Sequence, residues 1–363
     1  MKKRWVIALC ALLAAGYCAG GQPDDMAYVI SMAVDRADPD QIEISAQVPS
    51  IVEGDQDPGH VFMSAAGATF AEALDVLEAS SQRRLNLTQI KTLILSRELA
   101  EGDGCADLLR DMLFTEQIFG DAHLVMALGS ARELLAAQKA VIGMRLCHSV
   151  EAAVRHYQDH GYAPRATLSD VYFRLCATGS DPVAILAATA DASHTRALPP
   201  GGMGRAWPGS LPRQGENANE YVGCALFAGG RAVGLMDGME EELRGVLAGE
   251  TGTVNRSLGG AWARLSLTRR KIRVDTAEDG PKIDIYLAFS MESGAVAPDR
   301  AVLCRQMEEE IISLIETCRS LGAEPFGFAD IAARNFLTLP DWEAYGWRSR
   351  FPGASLRVKV EIG

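Results

Sequence analysis

Cys18 is the residue whose surroundings most plainly call for chemistry. Lys2, Lys3 and Arg4 open the chain, an apolar run extends from Trp5 to Ala15, and Gly16, Tyr17 and the cysteine follow. A basic start, a hydrophobic stretch too short to span a bilayer, and small residues near the cut are the grammar of an export signal. In bacterial lipoprotein signals such a cysteine receives a diacylglycerol on its sulfur, and cleavage on its N-terminal side frees its amino group. Residues 1–17 are therefore expected to be a signal peptide, Cys18 the lipidation site, and residues 18–25, small and polar, a tether leaving a membrane. Tyr17 is bulkier than the residue such signals usually place there, and a cut after Gly16 or Gly20 would give ordinary secretion.

Other residues weigh less. His156 and His160 stand four apart with Asp159 between them, a spacing that can set two imidazoles on one helical face for a metal. No Glu follows the first His, and Gly161 comes at once, so an exposed helix end with histidines near the C-terminal dipole is the expected reading. His60, His123, His148 and His194 lack a nucleophile motif nearby, and the pattern Gly-x-Ser-x-Gly is absent. Arg269, Lys271 and Arg273 alternate on one side of a strand. They make either a solvated face or a contact for anionic lipid headgroups or an acidic partner loop. Glu308, Glu309 and Glu310 lie opposite an apolar helical stripe and read as a solvated face. No catalytic residue, cofactor motif or metal site is expected from these patterns.

Six cysteines follow the signal: Cys105, Cys147, Cys176, Cys224, Cys304 and Cys318. None forms a Cys-x-x-Cys pair, which excludes a zinc knuckle or a thioredoxin-like site. Cys304 and Cys318 fall on one expected helix, roughly 21 Å apart at 1.5 Å per residue, and cannot bond to each other. Buried free thiols are expected. The formal net charge is −12, and removing Lys2, Lys3 and Arg4 brings it to −15. Such a chain repels phosphate backbones, so no nucleic acid is expected as a partner. After the signal no segment approaches eighteen continuous apolar residues.

The elements that must carry these residues are legible in outline. Met26 to Val34 and Gln41 to Val48 read as strands about an Asp- and Pro-containing turn, with Ile42, Ile44, Ala46 and Val48 facing inward. Capping boxes at Thr69 with Glu72 and at Ser130 with Glu133 start helices. Ile90 to Leu95 and His123 to Leu128 are further strands, and this α/β unit is expected over 26–150. A middle domain over 151–250 is read as helical to Thr189, then as a Gly/Pro-rich linker over 199–215. The Gly201–Gly204 run in that linker precedes no helical pattern and is not a phosphate cradle. Ala228-Gly229-Gly230 marks a hairpin, Asp237 caps the next helix, and a Gly- and Thr-rich joint at 249–260 marks a boundary.

The C-terminal unit, 251–363, holds two strands about Asp279-Gly280 and a helix from Asp299 to Leu321. Leu303, Met307, Ile311, Leu314, Ile315 and Cys318 share one stripe of that helix, which should lie across the sheet. Leu356, Val358, Val360 and Ile362 then alternate with charged residues in a last half-buried strand. The fold class is α+β, multi-domain, with antiparallel and mixed sheets and packed helices.

This C-terminal unit resembles the Ger(x)C lipoproteins, the C-subunit family of spore germinant receptors. The likeness rests on Pro325-Phe326-Gly327-Phe328-Ala329-Asp330, then Trp347, then Phe351-Pro352-Gly353 before the final strand. Upstream, Tyr28-Val29 to Val34-Asp35, Gly67-Ala68-Thr69 with Glu72-Ala73, Gln89-Ile90-Lys91 to Leu99-Ala100, Asp181-Pro182-Val183 and the Gly223 to Asp237 hairpin fall in the family's order. The family usually has a small residue before its lipid cysteine and Trp-Asp after it, where this chain has Tyr17 and Ala19-Gly20. The resemblance implies a lipid-anchored extracytoplasmic subunit in the spore inner membrane. It would have no enzymatic activity and would assemble with integral membrane A and B subunits in nutrient-triggered germination. The rival expectation is an exported metal-dependent enzyme or solute-binding protein built on His156, Asp159 and His160.

Overall fold

The computed structural model describes residues 26–49, 59–115, 118–139, 146–190, 205, 207–211, 213, 217–278, 280–294 and 296–363. Cys18, the signal, the tether, His194, the Gly201–Gly204 run and most of the 199–215 linker lie outside them.

Alternating apolar residues drive the first pairings. The short strand β1 (Met26–Tyr28) runs into β2 (Ser31–Asp38), which forms an antiparallel meander with β3 (Gln41–Pro49) and β4 (His60–Gly67). Ile44, Ala46 and Val48 share one face of β3 and are buried. Thr69 starts α1 (Phe70–Ser80), its hydroxyl accepting the Glu72 N–H at 3.2 Å. The Glu72 carboxylate reaches the N–H of Ala68, one residue before the cap. The strand β5 (Arg84–Asn86) pairs in parallel with β1.

From β2 the sheet grows by parallel strands, β6 (Thr92–Ser96), β7 (His123–Ala127) and β8 (Val183–Thr189). Between them come α2 (Arg97–Glu101), α3 (Cys105–Leu113), α4 (Ala131–Ala136), α5 (Leu146–Asp159) and α6 (Leu168–Cys176). Ser130 caps α4 as expected, and Asp35 of β2 accepts the Ala131 and Arg132 N–H groups, each at 2.8 Å. The hairpin strands β9 (Asn219–Ala228) and β10 (Arg231–Met236) complete an eight-stranded sheet in the order β10-β9-β8-β7-β6-β2-β3-β4. Gly229 and Gly230 both have positive φ, which the tight hairpin turn requires.

One expectation is corrected here. The helical reading to Thr189 fails at Val183–Thr189, which is a strand. Neighbours on both sides and cover on both faces remove the alternation, and a short apolar run then looks the same as a buried helix. Strands from both sides of residue 150 hydrogen-bond in one sheet, so the division into 26–150 and 151–250 is not a division between sheets.

Asp237 starts α7 (Gly238–Ala248) with a full capping box: its carboxylate accepts the Met239 and Glu240 N–H groups, and Glu240 reaches back to the Asp237 N–H. Next comes a four-stranded sheet in the order β11 (Thr253–Leu258), β12 (Ala261–Ala277), β13 (Gly280–Ser293), β14 (Ser355–Ile362), with β14 parallel to β13. The joint expected at 249–260 thus contains β11, whose Val254 is fully buried. The long helix α8 (Arg300–Leu321) buries every residue of its expected stripe and ends at Gly322 in the left-handed region. Three short helices, α9 (Phe328–Ala332), α10 (Leu339–Tyr345) and α11 (Trp347–Arg350), lead to β14.

Strand β9 ties the halves together. Tyr221, Ala225 and Phe227 belong to the core of the large sheet, while Cys224, Leu226 and Ala228 belong to the core shared with α7, α8 and the smaller sheet. At Gly223, with φ of +86°, an added Cβ would stand 2.1 Å from the Met236 carbonyl oxygen, so only glycine fits.

Candidate functional site

The residues with the most demanding chemistry lie at the seam between the two halves. Burying a charge is costly unless it is paired, and here each buried ion has a partner. Arg244 of α7, 1% exposed, donates to both Glu241 oxygens at 2.7 and 2.8 Å, to Glu250 and to the Pro325 carbonyl at 3.3 Å. Burial alone would lower the Arg244 pKa, but Glu241 and Glu250 carry it above the ordinary value. Burial pushes the Glu241 carboxyl up, whereas at Glu250 the pull of Arg244 overcomes burial and holds it down. Beside them Arg256 donates to Glu242 at 2.9 Å and faces Glu310 of α8 at 3.4 Å. Burial pushes Glu242 up to about 7 against the pull of Arg256 and Asn255.

A second set stitches the segment before β8 to the segment after α8. The Glu324 carboxylate accepts the N–H groups of Phe326, Phe328 and Ala329 at 2.9, 3.1 and 2.9 Å, and the Ser180 hydroxyl at 3.0 Å. Burial nonetheless pushes its pKa up to about 7, those donors pulling the other way. Asp181 accepts the Glu324 N–H at 2.9 Å and pairs with Arg348 at 2.8 Å. Ser180 also lies 3.2 Å from Asp330, and the Trp342 indole N–H reaches Thr178. A polar cleft of about 280 Å³ opens here between Arg165, Asp170, Arg174, Asp181, Glu250 and Asp330. These groups neutralise one another and fix the chain.

The nominated residues are placed as follows. His156 on α5 and His160 just past its end are exposed with ring centroids 4.3 Å apart, and His160 Nδ1 lies 2.8 Å from the His156 carbonyl. Asp159 faces Arg165 at 3.9 Å, and no group of three metal-binding side chains occurs among the described residues. Burial lowers the His123 pKa. All six cysteines after the signal are free. Cys105, Cys224 and Cys318 are buried as expected, with burial pushing the Cys105 thiol up to about 12, while Cys147 and Cys304 are half-buried and Cys176 is exposed. Of the expected solvated acidic face Glu309 is exposed, but two members are corrected: Glu310 pairs with Arg256 and Arg205, and Glu308 accepts the Val360 N–H of β14 at 2.8 Å.

Arg269, Lys271 and Arg273 stand on the outer face of the smaller sheet, which no described element covers. The register carries the pattern across three strands: Arg273 opposite Asp284 opposite Arg357, and Lys271 opposite Tyr286 opposite Lys359. The five cations and Tyr286 border a depression of about 390 Å³. Elsewhere, Phe114 at the end of α3, Phe119, and Phe173 of α6 are exposed, with Tyr172 edge-on to Phe114 at 5.9 Å.

Residues 22–188 match the family model described as spore germination protein N-terminal domain, and residues 222–363 match that described as spore germination B3/GerAC like, C-terminal. The chain belongs to the Ger(x)C family of spore germination proteins. This Ger(x)C chain is 23% identical to YfkR of Bacillus subtilis (strain 168), a protein named for spore germination, over 97% of its own length and 92% of YfkR. The crystal structure of the GerBC protein resembles it with a TM-score of 0.50 and 12% identity, covering 91% of this chain and 96% of that one, which shows the expected α+β fold. Among the described residues no helix is long and apolar enough to cross a membrane.

Several family motifs therefore have seam roles. The Ger(x)C residues Asp181, Asp330 and the Pro325 carbonyl form its contacts, and Trp347 and Phe351 are buried behind it. Arg244, Glu241, Arg256 and Glu242 carry no sequence motif that marks them. A run such as Glu240-Glu241-Glu242 reads as solvated, and the available hint is that Leu243, Val246 and Leu247 make α7 apolar on more than one side.

Proposed function

We propose that this chain is a lipid-anchored, extracytoplasmic subunit of a spore germinant receptor, tethered through Cys18 and docked on integral membrane A and B subunits. The observation that carries the reading is the family match on both halves, downstream of a basic start and an apolar run that lead to Cys18. Its role is mechanical rather than catalytic. An anchored protein meets its partner at an effective concentration that free diffusion does not give, so modest contacts suffice for assembly. One acyl chain holds a protein only marginally, so a diacylglycerol and the partner contacts share the task. The exposed Phe114, Phe119 and Phe173 support docking, since aromatic side chains are enriched where proteins meet.

Mass spectrometry of the native protein's N-terminus tests the anchor. A first residue Cys18 carrying a diacylglycerol mass is expected, and an unmodified N-terminus after Gly16 or Gly20 overturns it. Detergent extraction and co-purification test the docking, with the A and B subunits expected alongside. Stoichiometric zinc, lost in a His156→Ala variant, would overturn the scaffold reading.

A further inference from the structure

The outer face of the four-stranded sheet is charged against the grain of the molecule. The chain carries a formal net charge of −12, yet Arg269, Lys271 and Arg273 of β12 and Arg357 and Lys359 of β14 gather on either side of β13. The acids among them are partly engaged: Asp284 faces Arg357 at 3.8 Å, and Glu361 accepts the Tyr286 hydroxyl at 2.7 Å. Arg269 lies over the Tyr286 ring at 5.9 Å, so the phenol sits amid the cations at the surface. The depression they border is open, and Asp284, Ile285 and Tyr286 line it beside the cations.

A second feature lies at the same end of the sheet. Asn335 donates to the carbonyl of Val274, the residue after Arg273, at 3.0 Å. The loop it begins presents Leu337, 100% exposed, and Leu339, 62% exposed, beside the exposed Arg334. Leu337 and Leu339 stand exposed with Arg334 on one side and Asp341 and Glu343 on the other. They match a bilayer interface, where a leucine enters the acyl boundary and cations meet phosphate.

We propose that this cationic face and the Leu337–Leu339 loop together bind the surface of a bilayer rich in anionic phospholipid headgroups, and so lay the smaller sheet on the membrane. The contact goes beyond the anchor at Cys18 and requires no acyl chain. Bilayer is favoured over an acidic protein loop by the exposed Leu337 and Leu339, since a leucine can enter the acyl boundary while an acidic loop offers it no apolar partner.

Flotation with lipid vesicles tests it, using a full-length Cys18→Ser chain that cannot be acylated. Vesicles of phosphatidylglycerol with phosphatidylcholine should bind it far better than phosphatidylcholine alone, and salt should weaken the difference. Changing Arg269, Lys271 and Arg273 together to Gln should weaken partition on the order of a hundredfold, about fivefold per cation, with an unchanged melting temperature. Leu337→Ser should weaken it several-fold at high salt as well as low. Equal binding to both vesicle types, binding indifferent to either variant, or no vesicle binding beside capture of a polyglutamate peptide would overturn the proposal. Since Cys18 is absent from every arm, none of these outcomes bears on whether the native chain is acylated.

Discussion

Two regions concentrate charge in opposite ways. At the seam, Arg244 and Arg256 are nearly inaccessible and each meets two carboxylates. On the outer sheet face five cations lie in the open with few acids between them. The first arrangement locks the fold, because an ion removed from water is stable only while its partners stay in place. The second does little for stability, since exposed charges are hydrated and screened. It leaves a surplus that an external partner can use.

The largest break in this contrast should come from Arg244→Leu. It leaves the buried Glu241 and the half-buried Glu250 beside an apolar group, and a loss of about 3–5 kcal/mol is expected in urea unfolding. A loss near zero would show that the seam ions are as idle as surface ones. Glu324→Ala should follow at about 2–4 kcal/mol, because three backbone N–H groups lose their acceptor.

A pH series sharpens the same point. Burial raises Glu324 and Glu242 from an ordinary 4.5 to about 7. The folded state therefore binds more protons than the unfolded state between those values. The stability these groups contribute is complete below pH 4.5 and is lost as pH rises through 7. Glu324→Gln should flatten the fall in unfolding midpoint between about pH 5 and about pH 8; an unchanged slope would remove Glu324 from the account. The smallest effect belongs to the outer face, where Lys271→Gln should move stability by less than about 0.5 kcal/mol in the same unfolding measurement.

Regular periodicity made part of this molecule readable. The α8 stripe, the final strand and the Gly229–Gly230 hairpin have apolar residues or turn glycines at fixed intervals, and they fold as those intervals dictate. Val183–Thr189 reads as helix because a strand covered on both faces has no alternation to display. The seam was hidden for a different reason. Glu241, Glu242 and Arg244 carry the signature of a solvated helix, and only the return of Glu250, Arg256 and Pro325 from further along the chain encloses them. The outer basic face was half visible: Arg269, Lys271 and Arg273 alternate along one strand, but Arg357 and Lys359 join them only through the parallel pairing of β14 with β13. The Cys18 expectation, and the tether after it, fall outside the described residues.

Strand β9 works as a common wall. With one set of its residues closing one core and the alternate set closing the other, neither half can open without exposing the back of the same backbone. Amide hydrogens from Val222 to Phe227 should thus exchange only on global opening, and both halves should melt in one transition rather than two. A displacement imposed on the smaller sheet would accordingly reach the larger one without a hinge to absorb it, so the protein would carry a push from one face to the other as a single stiff body.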